Sequence, residues 1–128
     1  AVCGYDVRVF KEGHKKVQPP IVMGHEICAR TLGTLSLPNG QIIAEDKRVI
    51  VSPLIPCLKC HHCNAGHFNC CNKLNEIGSS VNGGFADYIN IPVNNILING
   101  IVPIESNIND DEASLRTFIL LSKCVPEY

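Results

Sequence analysis

The stretch Cys57-Leu58-Lys59-Cys60-His61-His62-Cys63-Asn64-Ala65-Gly66-His67-Phe68-Asn69-Cys70-Cys71 places four cysteines at the spacing Cys57-x2-Cys60-x2-Cys63-x7-Cys71. Short x2 gaps let a backbone wrap one metal ion with its amides turned towards the sulfurs. Gly66 supplies a position that tolerates positive φ before the chain returns to Cys71. Four thiolates on Zn2+ leave no open coordination position, so such a site holds structure and does no chemistry. Its binding energy is folding energy for a lobe with almost no apolar core of its own. Lys59, His61, His62 and Lys73 lie close enough in sequence to offset part of its negative charge. Residues 53–75 therefore read as a structural zinc lobe.

Other readings of the cluster fit less well. The chain holds eight cysteines among 128 residues, a density that also suits a secreted disulfide scaffold. No secretory signal opens it, and tight clustering without one favours metal. A bacterial iron–sulfur motif closes with x3-Cys-Pro, whereas Asn72 follows Cys71 here after a gap of seven. A nucleic-acid zinc ribbon wants two separated cysteine pairs and a basic face. His61, His62 and His67 read as surface residues, and Cys70 as a packed bystander.

Bulk composition narrows the function. Hydrophobic residues make up 45% and charged residues 18%, with a net charge of −1. That is one globular domain with no bulk attraction to nucleic acid or membrane. No apolar run approaches the ~20 residues of a membrane span. The expected compartment is reducing and cytoplasmic. The start at Ala1, without Met and running at once into Cys3, reads as a cut end.

Around the lobe the pattern is mostly β. A helical turn is expected over 3–10, a strand over Met23–Leu35, and a turn at Pro38-Asn39-Gly40, where Asn-Gly favours a tight hairpin. Short strands are expected at Gln41–Ala44, Arg48–Ser52, Phe85–Ile91, Asn94–Ile98 and Ile101–Ile104. From Asp110 to about Lys123 the spacing of Ala113, Leu115, Phe118, Ile119 and Leu121 predicts a helix, with Asp110, Asp111 and Glu112 in its first turn. Cys28 and Cys124 read as core thiols, and Asp6 and Arg8 as a local pair in preference to groups that face substrate. Gly78, Gly83 and Gly84 read as turn glycines. They do not form Gly-x-Gly-x-x-Gly after a strand, so no nicotinamide-binding motif is expected in this chain.

Cys3 and His25 form a second constellation. One thiolate and one imidazole, completed by a third protein ligand and a water, make an open zinc site. A zinc in such a site is a Lewis acid that lowers an alcohol's pKa from about 16 towards neutrality. The residues alone leave the pair open between this role and two ordinary buried side chains.

The order of motifs adds weight. Cys3-Gly4-Tyr5-Asp6-Val7-Arg8, Pro19-Pro20-Ile21-Val22-Met23-Gly24-His25-Glu26, Arg48-Val49, the four-cysteine lobe, Gly83-Gly84-Phe85-Ala86-Asp87-Tyr88 with Pro92, and Asp111-Glu112-Ala113-Ser114-Leu115 together resemble the medium-chain zinc dehydrogenases. The flavour is closest to polyol dehydrogenases, such as those acting on sorbitol, and to threonine dehydrogenases. The resemblance covers nearly all of residues 1–128. It implies a partial GroES-like barrel domain with an inserted zinc lobe and a C-terminal helix, in a truncated chain whose NAD(P)-binding Rossmann half is absent.

The resemblance also implies roles for residues. Cys3 and His25 would be catalytic zinc ligands, Glu26 would lie beside the metal and exchange onto it, and Cys57, Cys60, Cys63 and Cys71 would hold the structural zinc. Tyr5 stands where the family usually has a Ser or Thr hydroxyl of a proton relay, and Thr117 and Phe118 fall where it carries a further ligand. The implied activity is oxidation of a small alcohol or polyol by NAD(P)+, with this chain inactive by itself. The alternative is a non-catalytic zinc-binding fragment that keeps only the structural zinc. The terminal helix, with no Rossmann domain to pack on, is expected to favour self-association.

Overall fold

A computed structural model describes residues 1–104 and 107–115. The fold is a set of small antiparallel sheets with few helices. Its centre is a three-stranded sheet in the order β1–β4–β7, from Ile27–Arg30, Arg48–Val51 and Ile101–Pro103. In register, Ile27 faces Val51 and Ala29 faces Val49, while Val51 also pairs with Ile101. Side chains alternate across a strand, so Ile27, Val49, Val51 and Ile101 share one face. They join Leu37, Ile43, Ile55 and Ile77 in the core. Ile50, on the opposite face, is buried as well, which is why the strand Arg48–Ser52 reads as a continuous apolar run.

Two hairpin-like pairs flank that sheet. β2 (Leu35–Ser36) and β3 (Ile42–Ile43) pair across the Pro38-Asn39-Gly40 turn, and Gly40 adopts φ 83° there. β5 (Leu54–Ile55) pairs with β6 (Asn75–Glu76), and this pair forms the neck of the cysteine lobe. The lobe itself adds a short helix, α2 (His61–Asn64), and a 3-10 turn at Phe68–Cys70. Helix α1 runs Gly4–Glu12.

Several expectations need correction. The long strand over Met23–Leu35 is shorter: only Ile27–Arg30 ladders with β4, because the segment before it turns through Gly24 at φ 98°. Phe85–Ile91 is not a strand. Its first residue donates to Met23 O, and Gly83 and Gly84 donate to Val22 O and Gly24 O; the rest of the segment finds no ladder partner among the described residues. Alternation alone cannot supply an edge to pair with.

Asn94–Ile98 is helical: α3 spans Val93–Leu97 with Pro92 as its N-cap. The turn buries Asn95 completely, and its Nδ2 donates to Ser52 O at 2.6 Å and Leu54 O at 3.0 Å. Two hydrogen bonds from this buried Nδ2 to backbone carbonyls outweigh the β propensity of its isoleucine neighbours. The terminal helix is present over Asp110–Leu115 as α4; its expected continuation to Lys123, with Thr117, Phe118 and Cys124, lies outside the described residues. Cys28 is half-buried on β1 rather than in the core, with Asp110 Oδ1 at 3.6 Å from its sulfur. Among the described residues, no helix is long and apolar enough to cross a membrane.

Candidate metal centres

The lobe brings all four sequence-selected sulfurs together. Ligand atoms of Cys57, Cys60, Cys63 and Cys71 lie within 4.8 Å of one another. Cys60 Sγ is 3.5 Å from Cys63 Sγ and 3.9 Å from Cys71 Sγ. A tetrahedral ion with Zn–S bonds of about 2.3 Å sets its sulfurs about 3.8 Å apart, so the donor set fits zinc. Within Cys57–Cys71 only Cys63 and Cys71 are buried, so no apolar core competes with the metal as the organising element.

Backbone amides do turn towards the sulfurs. Cys57 N–H and Lys73 N–H both donate to Cys71 Sγ, at 3.2 and 3.4 Å. The Cys63 and Asn72 amides stabilise a thiolate at Cys60 and hold its pKa well below the usual thiol range. The Lys59 amide does the same for Cys57. Burial drives Cys63 the other way, and the neighbouring thiols add to it. Four crowded thiols cannot all ionise without a cation among them. Gly66 takes φ 81°, and Leu58 holds φ 61° despite its side chain. The Leu58 geometry is local strain kept by the turn that aims amides at sulfur. Cys70 is exposed and outside the cluster, so it is a bystander but not a packed one.

The second constellation also assembles, from distant parts of the chain. Cys3 is the N-cap of α1, and His25 follows the Gly24 turn. Cys3 Sγ and His25 Nε2 stand 3.4 Å apart. A thiolate at about 2.3 Å and an imidazole nitrogen at about 2.0 Å on one tetrahedral ion would be about 3.5 Å apart. Burial raises the Cys3 thiol pKa despite the amides of Asp6 and Tyr5 that favour its thiolate. A cation between the two donors would reverse that preference.

Asp6 is the residue the sequence reading missed as a site member. It is 3% exposed, and its ligand atom joins those of Cys3 and His25 within 4.8 Å. Oδ2 accepts from Cys3 N–H at 2.9 Å. Oδ1 lies 3.6 Å from His25 Nδ1 and has no hydrogen-bond partner. The carboxylate thus sits behind the imidazole while Nε2 faces the thiol. That is the arrangement in which a carboxylate orients a metal-ligating histidine. The signal was available: Asp6 is three residues after the N-cap, where an acidic side chain reaches back to the cap N–H.

Tyr5 stacks edge-on against His25, with ring centroids 5.4 Å apart. Burial raises its phenol pKa, and the Glu76 carboxylate adds to the effect. Glu26 is buried at 6% exposure, but its carboxylate is not among the mutually close ligand atoms at Cys3 and His25. Cys3, Gly4, Tyr5 and His25 open onto a cavity of about 450 Å³ that Pro53, Glu76, Ile77 and Ser79 also line. That volume suits a small ligand.

Beneath His25 the backbones are packed to contact. A Cβ on Gly83 would sit 2.3 Å from Gly24 O, and one on Gly78 would sit 2.6 Å from the same oxygen. These glycines are therefore close-approach positions and more than turn formers. They hold the 22–24 segment against 83–85 and so fix where His25 stands.

Small antiparallel sheets thus carry a four-cysteine lobe and a Cys–His pair at a cavity. Residues 1–103 match the family of the alcohol dehydrogenase GroES-like domain, and the chain belongs to that family, the zinc-type medium-chain alcohol dehydrogenases. It is 37% identical over 100 residues to L-galactonate-5-dehydrogenase of Escherichia coli K12, covering 75% of this chain and 28% of the relative. It is 35% identical over 118 residues to L-threonine 3-dehydrogenase of Klebsiella pneumoniae, covering 90% and 33%. Among solved structures, galactitol-1-phosphate dehydrogenase from Escherichia coli superposes with a TM-score of 0.64 at 27% identity, over 89% of this chain and 31% of that one. The chain thus spans about a third of the length of the relatives it matches.

Proposed function

We propose that this chain is the catalytic, zinc-holding domain of a dehydrogenase that oxidises a small alcohol or polyol with NAD(P)+. The observation that carries the reading is the 3.4 Å approach of Cys3 Sγ to His25 Nε2, backed by Asp6 and open to the cavity. Cys3 and His25 would hold a zinc there, and Glu26, next to His25, would serve as an exchanging ligand. Bound zinc supplies Lewis acidity that brings an alcohol's proton within reach at neutral pH. Asp6 keeps Nε2 of His25 turned to the metal side. Tyr5 places a hydroxyl on the cavity wall where the substrate's proton leaves, replacing the smaller hydroxyl usual in the family. Pro53 and Ile77 keep part of that wall apolar and dry.

Hydride would pass to a nicotinamide bound by a Rossmann domain, which the relatives' greater length can accommodate. Residues 53–75 would be the structural zinc lobe within a GroES-like barrel. The isolated chain is expected not to turn over.

A second reading is a zinc-binding domain that keeps only the structural metal. It is favoured by the contrast between four gathered sulfurs at the lobe and only one thiol and one imidazole facing each other at the cavity. Zinc per chain separates the two. Metal-replete protein with about two equivalents, falling to about one in Cys3→Ala, supports the catalytic domain. One equivalent, unchanged by Cys3→Ala, establishes the structural remnant.

A further inference from the structure

Glu76 is the one acidic side chain among the described residues that line the Cys3–His25 cavity. Neither the lobe nor the Cys–His pair uses it. Its ligand atoms are not among those gathered at Cys3, Asp6 and His25, but its carboxylate is near enough to Tyr5 to raise that phenol's pKa. It is held firmly. Glu76 pairs with Leu54 in the β5–β6 ladder, and its carbonyl accepts from Ser79, Ser80 and Val81 amides. Ser79 Oγ donates to Oε2 at 3.3 Å, and Ser79 is itself buried at 5% exposure and lines the same cavity. Ser79 thus engages Oε2 and not Oε1.

We propose that Glu76 is a specificity-determining residue that selects substrates presenting a hydrogen-bond donor, a hydroxyl or an ammonium, to its part of the cavity wall, and disfavours those presenting a carboxylate or phosphate there. The inference rests on the dehydrogenase reading of the same cavity. An ionised carboxylate is acceptor-only. A substrate hydroxyl or ammonium facing it forms a charge-assisted hydrogen bond. A substrate anion facing it meets like charge beside the low-dielectric wall of Pro53 and Ile77, a repulsive element of the kind that discriminates between ligands. The reacting carbinol would sit towards Cys3 and His25, and a second polar group would extend towards Glu76. A compound bearing its anion on that second group is the one excluded.

The test uses zinc-loaded chain with its metal content measured, and NMR titration with galactitol, L-galactonate and serinol. Galactitol is expected to bind at least about tenfold more tightly than L-galactonate, a difference of about 1.4 kcal/mol. Glu76→Gln, which keeps size and the Ser79 contact, should shrink that ratio to within about threefold. Tighter binding of serinol than galactitol, lost in Glu76→Gln, would identify an ammonium as the preferred donor; the reverse order would identify a hydroxyl. L-Galactonate binding as tightly as galactitol overturns the proposal, as does an absence of saturable galactitol binding to the two-zinc chain. So does a ratio that Glu76→Gln leaves unchanged. A content of one zinc instead overturns the assignment of Cys3 and His25, and the Glu76→Gln comparison still reports on the cavity wall.

Discussion

At the lobe, four sulfurs come from one short stretch, Cys57–Cys71, and their amides come from the same stretch. At the cavity, the donors come from an N-cap, the first turn of α1 and a loop held by remote glycines. The lobe is a local structure that a metal can organise with little help. The cavity is a tertiary structure that the rest of the fold must organise before a metal can arrive. Removing metal should therefore damage the first more than the second, and disturbing packing should do the reverse.

The largest effect should come from stripping metal. Structural zinc in small peptides contributes apparent binding energies of about 10–16 kcal/mol at neutral pH, and the stretch Cys57–Cys71 has only two buried side chains, both cysteines, to replace it. Chelation, or Cys60→Ser, is expected to abolish hydrogen-exchange protection for the amides of 57–73. The β1–β4–β7 sheet should stay protected, because its core is apolar. Protected lobe amides in metal-free protein would break the comparison.

Packing comes next. Gly83→Ala forces a methyl against Gly24 O and the Gly78 backbone. Overpacking of this kind costs about 1–3 kcal/mol. The expected result is a lowered midpoint in urea together with lost metal affinity at Cys3 and His25, while the lobe keeps its zinc. Loss of both metals together would show that the two regions are not separable.

Asp6→Asn should act more narrowly. It preserves an oxygen for Cys3 N–H but removes the charge behind His25. Loss of such an orienting carboxylate typically costs about 10–100-fold in metal affinity. Competition with a chromophoric chelator should show that drop at one of two sites only. An unchanged affinity would mean that His25 is oriented by its ring packing on Tyr5 alone.

The lobe was legible because its ligands, spacing and glycine lie in one window, and a motif of that kind needs no knowledge of the remainder of the chain. Gly66 took the positive φ that its place in the loop required. The hairpin at Pro38-Asn39-Gly40 and the strands around Ile42, Val49 and Ile101 were legible for the same reason. Phe85–Ile91 and Asn94–Ile98 were misread because local apolar patterning does not say whether an edge is free to pair. At Asn95 the deciding partner, the carbonyls of Ser52 and Leu54, lies more than forty residues away.

By itself the sequence offered Cys57, Cys60, Cys63 and Cys71 as one donor group, because residue type and short spacing decide which atoms can reach one ion; Cys3 and His25, 22 residues apart, it left open. Through the order of its motifs it also determined the family. Only the tertiary structure decided that Asp6 stands behind His25, that Gly78 and Gly83 press on Gly24, and that Glu76 shares a cavity with Cys3. Each of those is a meeting of residues far apart in the chain. Such meetings are set by which strands pair and which backbones can touch, and no local pattern encodes them.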